Sequence, residues 1–236
     1  MKAIIMAAGK GTRISRFIQD KPKCTIKLKH TTLIEYTVSI LKKKGIPDIS
    51  VVLGYESDCV RAILRKTDVK FYYNPFFDIT NSVSSLWFAR EELGKDDTLI
   101  MNGDVFFEER FLDIFLNEKR SPVLFSDESR KEIADYKLYY EKGLLKKYGK
   151  NLTGRHITGE YVGVAKISKD NSVRFRKKME EAISAQRHGL WWEDVLYEMS
   201  DRTKIYVKNI AGLFWAEVDY VEDYERIQQW VKAHNI

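Results

Sequence analysis

The chain has 236 residues, 44% of them hydrophobic, and its 40 basic and 34 acidic side chains leave a net charge of +6. That is enough apolar material for one sizeable core, while basic residues scattered in short clusters such as Lys42-Lys43-Lys44 suit polyanionic small substrates rather than a nucleic-acid stripe. Two cysteines, Cys24 and Cys59, without CxxC or histidine partners, argue against a disulfide framework or zinc site, and no apolar stretch is long enough to span a bilayer, so a cytoplasmic protein without membrane or nucleic-acid partners is expected.

The chain begins as an apolar strand, Lys2 to Ala7, that runs straight into Ala8-Gly9-Lys10-Gly11-Thr12-Arg13 and then reaches Lys21-Pro22-Lys23. Glycines let backbone N–H groups approach an anion, and Arg13 and Lys23 add charged donors, so this segment is built to hold phosphates. A dinucleotide fingerprint would need a third glycine where Ile14 stands, and a Walker loop would need Gly-Lys-Ser/Thr. Neither is present. Next, Leu33, Tyr36, Thr37, Ile40 and Leu41 share a helical face, and Val60, Ile63 and Leu64 share another. Ile49 to Leu53 and Val69 to Tyr73 read as buried strands, Val83 to Ala89 as a helix, and Thr98 to Met101 as a strand. The alternation predicts a parallel sheet with ligands at the carboxyl ends of its strands. Beyond Asp113 the rhythm changes. Pro122 to Phe125, Tyr136 to Tyr140, Leu144 to Tyr148 and Tyr161 to Ile167 read as strands, with a hairpin turn at Glu141-Lys142-Gly143. Helices follow over Asn171 to Arg187 and Glu193 to Met199, then strands over Lys204 to Val207 and Leu213 to Val218, and a closing amphipathic helix from Tyr220 to His234. No repeat or linker interrupts the chain, so a single domain over 1–236 is expected, with halves at 1–115 and 116–236.

Two acidic positions fall at strand ends. Asp104 follows Asn102-Gly103, and Asp219 closes Glu217-Val218-Asp219. Carboxylates about 4 Å apart repel by ~4 kcal/mol at an effective dielectric of 20, which a shared Mg²⁺ offsets through its preference for oxygen ligands. Each also has a structural reading, Asp104 as a turn residue after Gly103 and Asp219 as the N-cap of the last helix.

In order, Ala-Ala-Gly-x-Gly-Thr-Arg, Pro-Lys, a central Gly-Asp, Gly-Glu-Tyr-x-Gly and a terminal Glu-x-Asp, the sequence resembles the sugar-phosphate nucleotidyltransferase superfamily across essentially its whole length. Tyr73-Asn74-Pro75, Asn81 to Leu86 and Val218-Asp219 look most like its small CTP-dependent phosphocholine/phosphonate cytidylyltransferase branch. The resemblance implies an α/β, Rossmann-like, mixed and mostly parallel sheet flanked by helices, with a small β-rich extension that binds the acceptor. It implies an enzyme that transfers CMP from CTP to phosphocholine, aminoethylphosphonate or a similar compound with Mg²⁺, releasing pyrophosphate, and it admits a homodimer. By the same resemblance Ala7, Ala8, Gly9, Gly11, Thr12 and Arg13 cradle the triphosphate, Lys23 meets the α-phosphate, Asp104 and Asp219 hold the metal, and Asn74, Asn81 and Ser84 lie near base and ribose. Arg13, Lys23, Asp104 and Asp219 are the expected catalytic set.

For the acceptor, Lys137 and Lys150 are candidates to neutralise its phosphate, Glu160 and Tyr161 to line the pocket, and Trp192 with Glu193 to receive an amine or quaternary ammonium. At least one of Trp191 and Trp192 is expected in the core instead. Two departures, Asn81-Ser82 for the paired asparagines of choline-type enzymes and Asn102-Gly103-Asp104 for their Asp-x-Asp, leave the substrate open. A sugar-1-phosphate nucleotidylyltransferase using another nucleotide and a non-catalytic nucleotide-binding module are the alternatives.

Overall fold

The structure is a computed structural model that describes residues 1–14, 16–210 and 212–236. β1 (Lys2–Ala7) is buried along its whole length, and alternation divides its side chains between two cores. Ala3, Ile5 and Ala7 face one, Ile4 and Met6 the other. α1 (Leu33–Lys43) starts at a capping box in which Thr32 and Glu35 exchange backbone N–H bonds, then buries Leu33, Ile34, Val38 and Leu41 against the first core. β2 (Asp48–Leu53), α2 (Ser57–Ile63), β3 (Lys70–Tyr73), α3 (Ser82–Phe88) and β4 (Thr98–Asn102) continue the alternation. β3, β2, β1 and β4 run parallel in that order, so the chain leaves β1 to both sides and a crevice opens at its carboxyl end.

The second half extends the same sheet. After β5 (Val105–Phe107) and α4 (Phe111–Asn117) come β6 (Val123–Asp127), the hairpin β7 (Lys137–Glu141) and β8 (Leu144–Gly149), and β9 (Glu160 and its neighbours, Gly159–Ile167). α5 (Lys169–Ser184), α6 (Trp192–Glu198), β10 (Tyr206–Asn209), β11 (Trp215–Glu217) and α7 (Val221–His234) complete the chain. The nine-stranded order is β3-β2-β1-β4-β9-β6-β10-β8-β7. β9 pairs antiparallel with both β4 and β6 and is buried on both faces, which joins the halves, while β10 runs parallel to β6.

Two elements escape the sequence reading. β5 is three residues long and gains its ladder only from β11, far away in the chain, in a separate two-stranded sheet. α4 crosses the boundary set near Asp113 and drives Phe111, Leu112 and Phe115 into the first core. Among the described residues no helix is long and apolar enough to cross a membrane.

Candidate active site

The glycine loop and the two acidic turns meet at the crevice. Gly11 has φ of +64°, and a Cβ there would fall 2.6 Å from Lys23 Cγ, so glycine is needed both for the left-handed turn and for the lysine stem lying across it. Pro22 leads into a tight turn at Lys23–Thr25, closed by the Thr25 hydroxyl donating to the Pro22 carbonyl (2.8 Å). On the other side, the Gly103 N–H donates to the Met6 carbonyl (2.8 Å), which holds the Asp104 turn beside β1. The Val218 N–H donates to the Asp104 carbonyl (2.9 Å) and locks the second acidic turn against the first.

The side chains form one charge cluster. Lys23 Nζ donates to Asp104 Oδ2 (3.1 Å) and to Asp219, and Arg13 donates to the other oxygen of Asp219. One oxygen each of Asp104, Glu217 and Asp219 lies within 4.8 Å of the others. Burial opposes the charge on Lys23, but attraction to Asp104 and Asp219 outweighs it and raises its pKa. Burial likewise opposes the charge on Asp219, and Lys23 and Arg13 still hold it below the usual carboxylate range. Burial pushes Glu217 well upward, with Asp104 and Asp219 adding to the shift. A hard divalent cation fits this donor set: three carboxylates converge, and one carries more negative surroundings than a single lysine relieves.

Together with a second wall these residues line a cleft of about 380 Å³. That wall is drawn from distant segments, with Asp135 and Tyr136 before β7, Lys150 after β8, Tyr161 and Gly163 on β9, and Trp191 and Glu193 at the start of α6. Lys150 Nζ pairs with Asp135 (2.7 Å) and lies 5.8 Å from the centre of the Trp191 ring. Glu193 is buried and pushed up to about 8, by desolvation first and by Asp194 and Asp104 beyond it, although Asn102 donates a long bond to it (3.4 Å).

The expected residues divide. Ala8, Gly9, Arg13, Lys23, Asn81, Asp104, Lys150, Tyr161, Glu193 and Asp219 line the cleft, and Ala7 and Gly11 line a smaller recess of about 120 Å³ beside Lys23. Thr12 is exposed on the loop without lining either. Asn74 does not itself line the cleft. It is fully buried, donates to Thr80 and Ser85, and accepts the Phe76 N–H, so it braces the loop under the cleft. Ser84 turns to the His188 carbonyl (3.4 Å), and its neighbour Ser85 faces the cleft. Trp192 is in the core with its indole N–H on Asn102 (3.0 Å), and Trp191 takes the exposed place. Glu160 accepts from Arg130 (2.6 Å) and from the Asp135 N–H (2.9 Å), which positions the loop carrying Asp135. Lys137 donates to the Lys150 carbonyl (2.8 Å) and supports that turn. Asp219 is not the cap of α7; Asp223 accepts the Tyr220 N–H instead (3.0 Å).

Glu217, Ser85, Asn102, Asp135, Tyr136 and Trp191 line the cleft without having been assigned roles from sequence. Period-two alternation carried signal for one of them. Glu217 and Asp219 are two apart at a strand end and so fall on one side.

Comparison with known proteins identifies the family and the fold. The MobA-like NTP transferase domain family matches residues 3–158. The choline-phosphate cytidylyltransferase of Streptococcus pneumoniae is 27% identical over the full length of both chains. The CTP:phosphoglutamine cytidylyltransferase of Campylobacter jejuni is 26% identical over 95% of this chain and 98% of its own. A solved structure of the CTP:phosphocholine cytidylyltransferase from S. pneumoniae superposes with a TM-score of 0.82, covers 98% of each chain and is 25% identical.

Proposed function

This chain belongs to the MobA-like NTP transferase family and is a nucleotidyltransferase, and from that premise we propose that it transfers CMP from CTP to the phosphate or phosphonate of a small polar compound, with Mg²⁺. The observation that carries the reading is the cluster of Arg13, Lys23, Asp104, Glu217 and Asp219 at the end of the glycine loop, facing an acceptor wall across one cleft. The resemblance to CTP-using relatives along the whole chain favours cytidine. Two free cysteines suit a reducing compartment.

In the proposed reaction an oxygen of the acceptor phosphate attacks the α-phosphorus of CTP, the bond from that phosphorus to the bridging oxygen breaks, and pyrophosphate leaves. The acceptor oxygen is already anionic, so no base has to remove a proton. What the chain contributes is alignment of two anions and screening of their charge. Gly9 and Gly11 let the triphosphate approach the backbone, and Arg13 and Lys23 exchange their carboxylate partners for phosphate oxygens. Asp104, Glu217 and Asp219 would hold the Mg²⁺, which when bound neutralises charge on the reacting phosphates. Lys150, at the far wall, is placed to meet the acceptor's anionic group.

The reading is tested by pyrophosphate release from CTP, UTP, GTP and ATP against a panel of phosphorylated amines, phosphonates and sugar 1-phosphates. CTP with a non-sugar acceptor is expected to exceed every other combination at least tenfold. A sugar 1-phosphate with another nucleotide as the best pair would overturn it.

A further inference from the structure

Among the described residues three buried side-chain hydroxyls, those of Ser126, Tyr161 and Tyr197, have no hydrogen-bond partner. Of these only Tyr161 lines the cleft. It is 6% exposed, and it stands two residues before Gly163 on β9, so the pleat turns both to the same face. Burial above all, then Glu193, pushes its phenol well above the ordinary range. Glu193 is 7% exposed and has one long side-chain bond, from an Asn102 amide whose oxygen is already taken by Trp192. Two buried carboxylates outside the cleft are saturated by contrast. Glu160 has a guanidinium and a backbone N–H, and Glu92 has Lys2, Tyr72 and Lys95. A buried phenol and a buried acid that both keep unfilled acceptor positions in one cleft mark a place for a ligand that donates.

We propose that Tyr161 and Glu193 are the specificity-determining pair for the far end of the acceptor, and that they select a primary ammonium over a quaternary one. The inference rests on the cytidylyl-transfer reading of this cleft. A quaternary ammonium carries charge but no N–H, so it leaves both oxygens unfilled, and a site built to bond a donor rejects the analogue lacking it. The aromatic surroundings point the same way. A methylated cation needs open ring faces, but Trp192 is turned into the core, Lys150 already lies over the Trp191 ring, and Tyr136 is stacked on Tyr197. Glu193, a buried carboxyl group whose side-chain donor is a neutral amide at 3.4 Å, suits a cationic donor better than a neutral hydroxyl.

The test uses the full chain with CTP and Mg²⁺ and a series of acceptors: 2-aminoethyl phosphate, its N-methyl and N,N-dimethyl forms, phosphocholine, and glycerol phosphate as the uncharged donor. kcat/KM from pyrophosphate release should fall at least ~tenfold from the primary amine to phosphocholine, with the steepest step at the last methyl group, and glycerol phosphate should be as poor as phosphocholine. Tyr161→Phe removes a hydroxyl with no partner to lose, so the variant folds, and the preference should shrink to about threefold or less. Phosphocholine or glycerol phosphate turned over as well as the primary amine, or a preference unchanged in Tyr161→Phe, overturns the proposal. Calorimetric binding of the same series without CTP separates the two readings. A binding preference for the primary amine with no pyrophosphate from CTP upholds the pair and overturns cytidylyl transfer, whereas efficient release with phosphocholine as best acceptor does the reverse.

Discussion

The two walls of the cleft solve opposite electrostatic problems. On the glycine-loop side Lys23 and Arg13 already have partners, held by Asp104 and Asp219. On the far side burial pushes Glu193 toward its neutral form and the Tyr161 hydroxyl has no hydrogen-bond partner. A ligand arriving at the first wall must displace carboxylates and exchange one set of ion pairs for another. A ligand arriving at the second completes bonds that the protein leaves open. On the proposed reading, the first wall takes the triphosphate with its metal and the second discriminates among small acceptors.

The contrast breaks most sharply at Lys23. If its role is to screen the reacting phosphate, Lys23→Ala should lower kcat about a hundredfold to a thousandfold, the scale of losing one preorganised charge contact. The melting temperature should fall by only a few degrees, because the three carboxylates it screens can take up protons or a divalent cation in its place. Turnover and thermal melting on the same preparation check this, and undiminished turnover removes Lys23 from the mechanism. Asp219→Asn separates the metal from the phosphate. Mg²⁺-dependent turnover should drop about a hundredfold. Metal-free binding of CTP should tighten a few-fold, since Arg13 and Lys23 lose the carboxylate that competes for them. Weaker metal-free binding, measured calorimetrically in chelator, would show that the ion pairs organise the loop rather than block it.

The same contrast explains what the sequence disclosed. The first wall is made of contiguous motifs, and the parallel order read from the alternation brings the loop of Gly9 to Arg13 and Asp104 to one crevice, while Asp219 arrives there through β11 in its separate sheet with β5. The second wall is assembled from helix starts and hairpin ends, and there a shift of one residue rotates a side chain by about 100° on a helix or to the opposite face of a strand. Hence Trp191 faces the cleft where Trp192 was expected, and Ser85 where Ser84 was. Glu160 shows the other limit. Its sequence context marks a pocket residue, and its place opposite Arg130 depends on a loop whose conformation no local pattern encodes. β5 and the unfilled phenol of Tyr161 are invisible for a related reason, because both are defined by what lies across the sheet rather than along the chain.

The smallest expected effect tests the neutral acid directly. Glu193 titrates at about 8 in the folded chain and near 4.3 unfolded, so between those values the folded state keeps a proton that the unfolded state has lost. The stability tied to that proton is fully present below about pH 4.3 and is lost as pH rises through about 8. Glu193→Gln cannot ionise and should be free of that slope. Its melting temperature should match the parent near pH 4 and pull steadily ahead of it up to pH 8, each kcal/mol being worth about 2–4 °C in a chain of this size. Parallel curves for the two proteins from pH 5 to 8 would mean that Glu193 is ionised throughout and already partnered. A saturating primary amine should remove most of the difference at pH 8, because it pairs the ionised carboxylate with a cation, and the glutamine variant should gain little from the same addition.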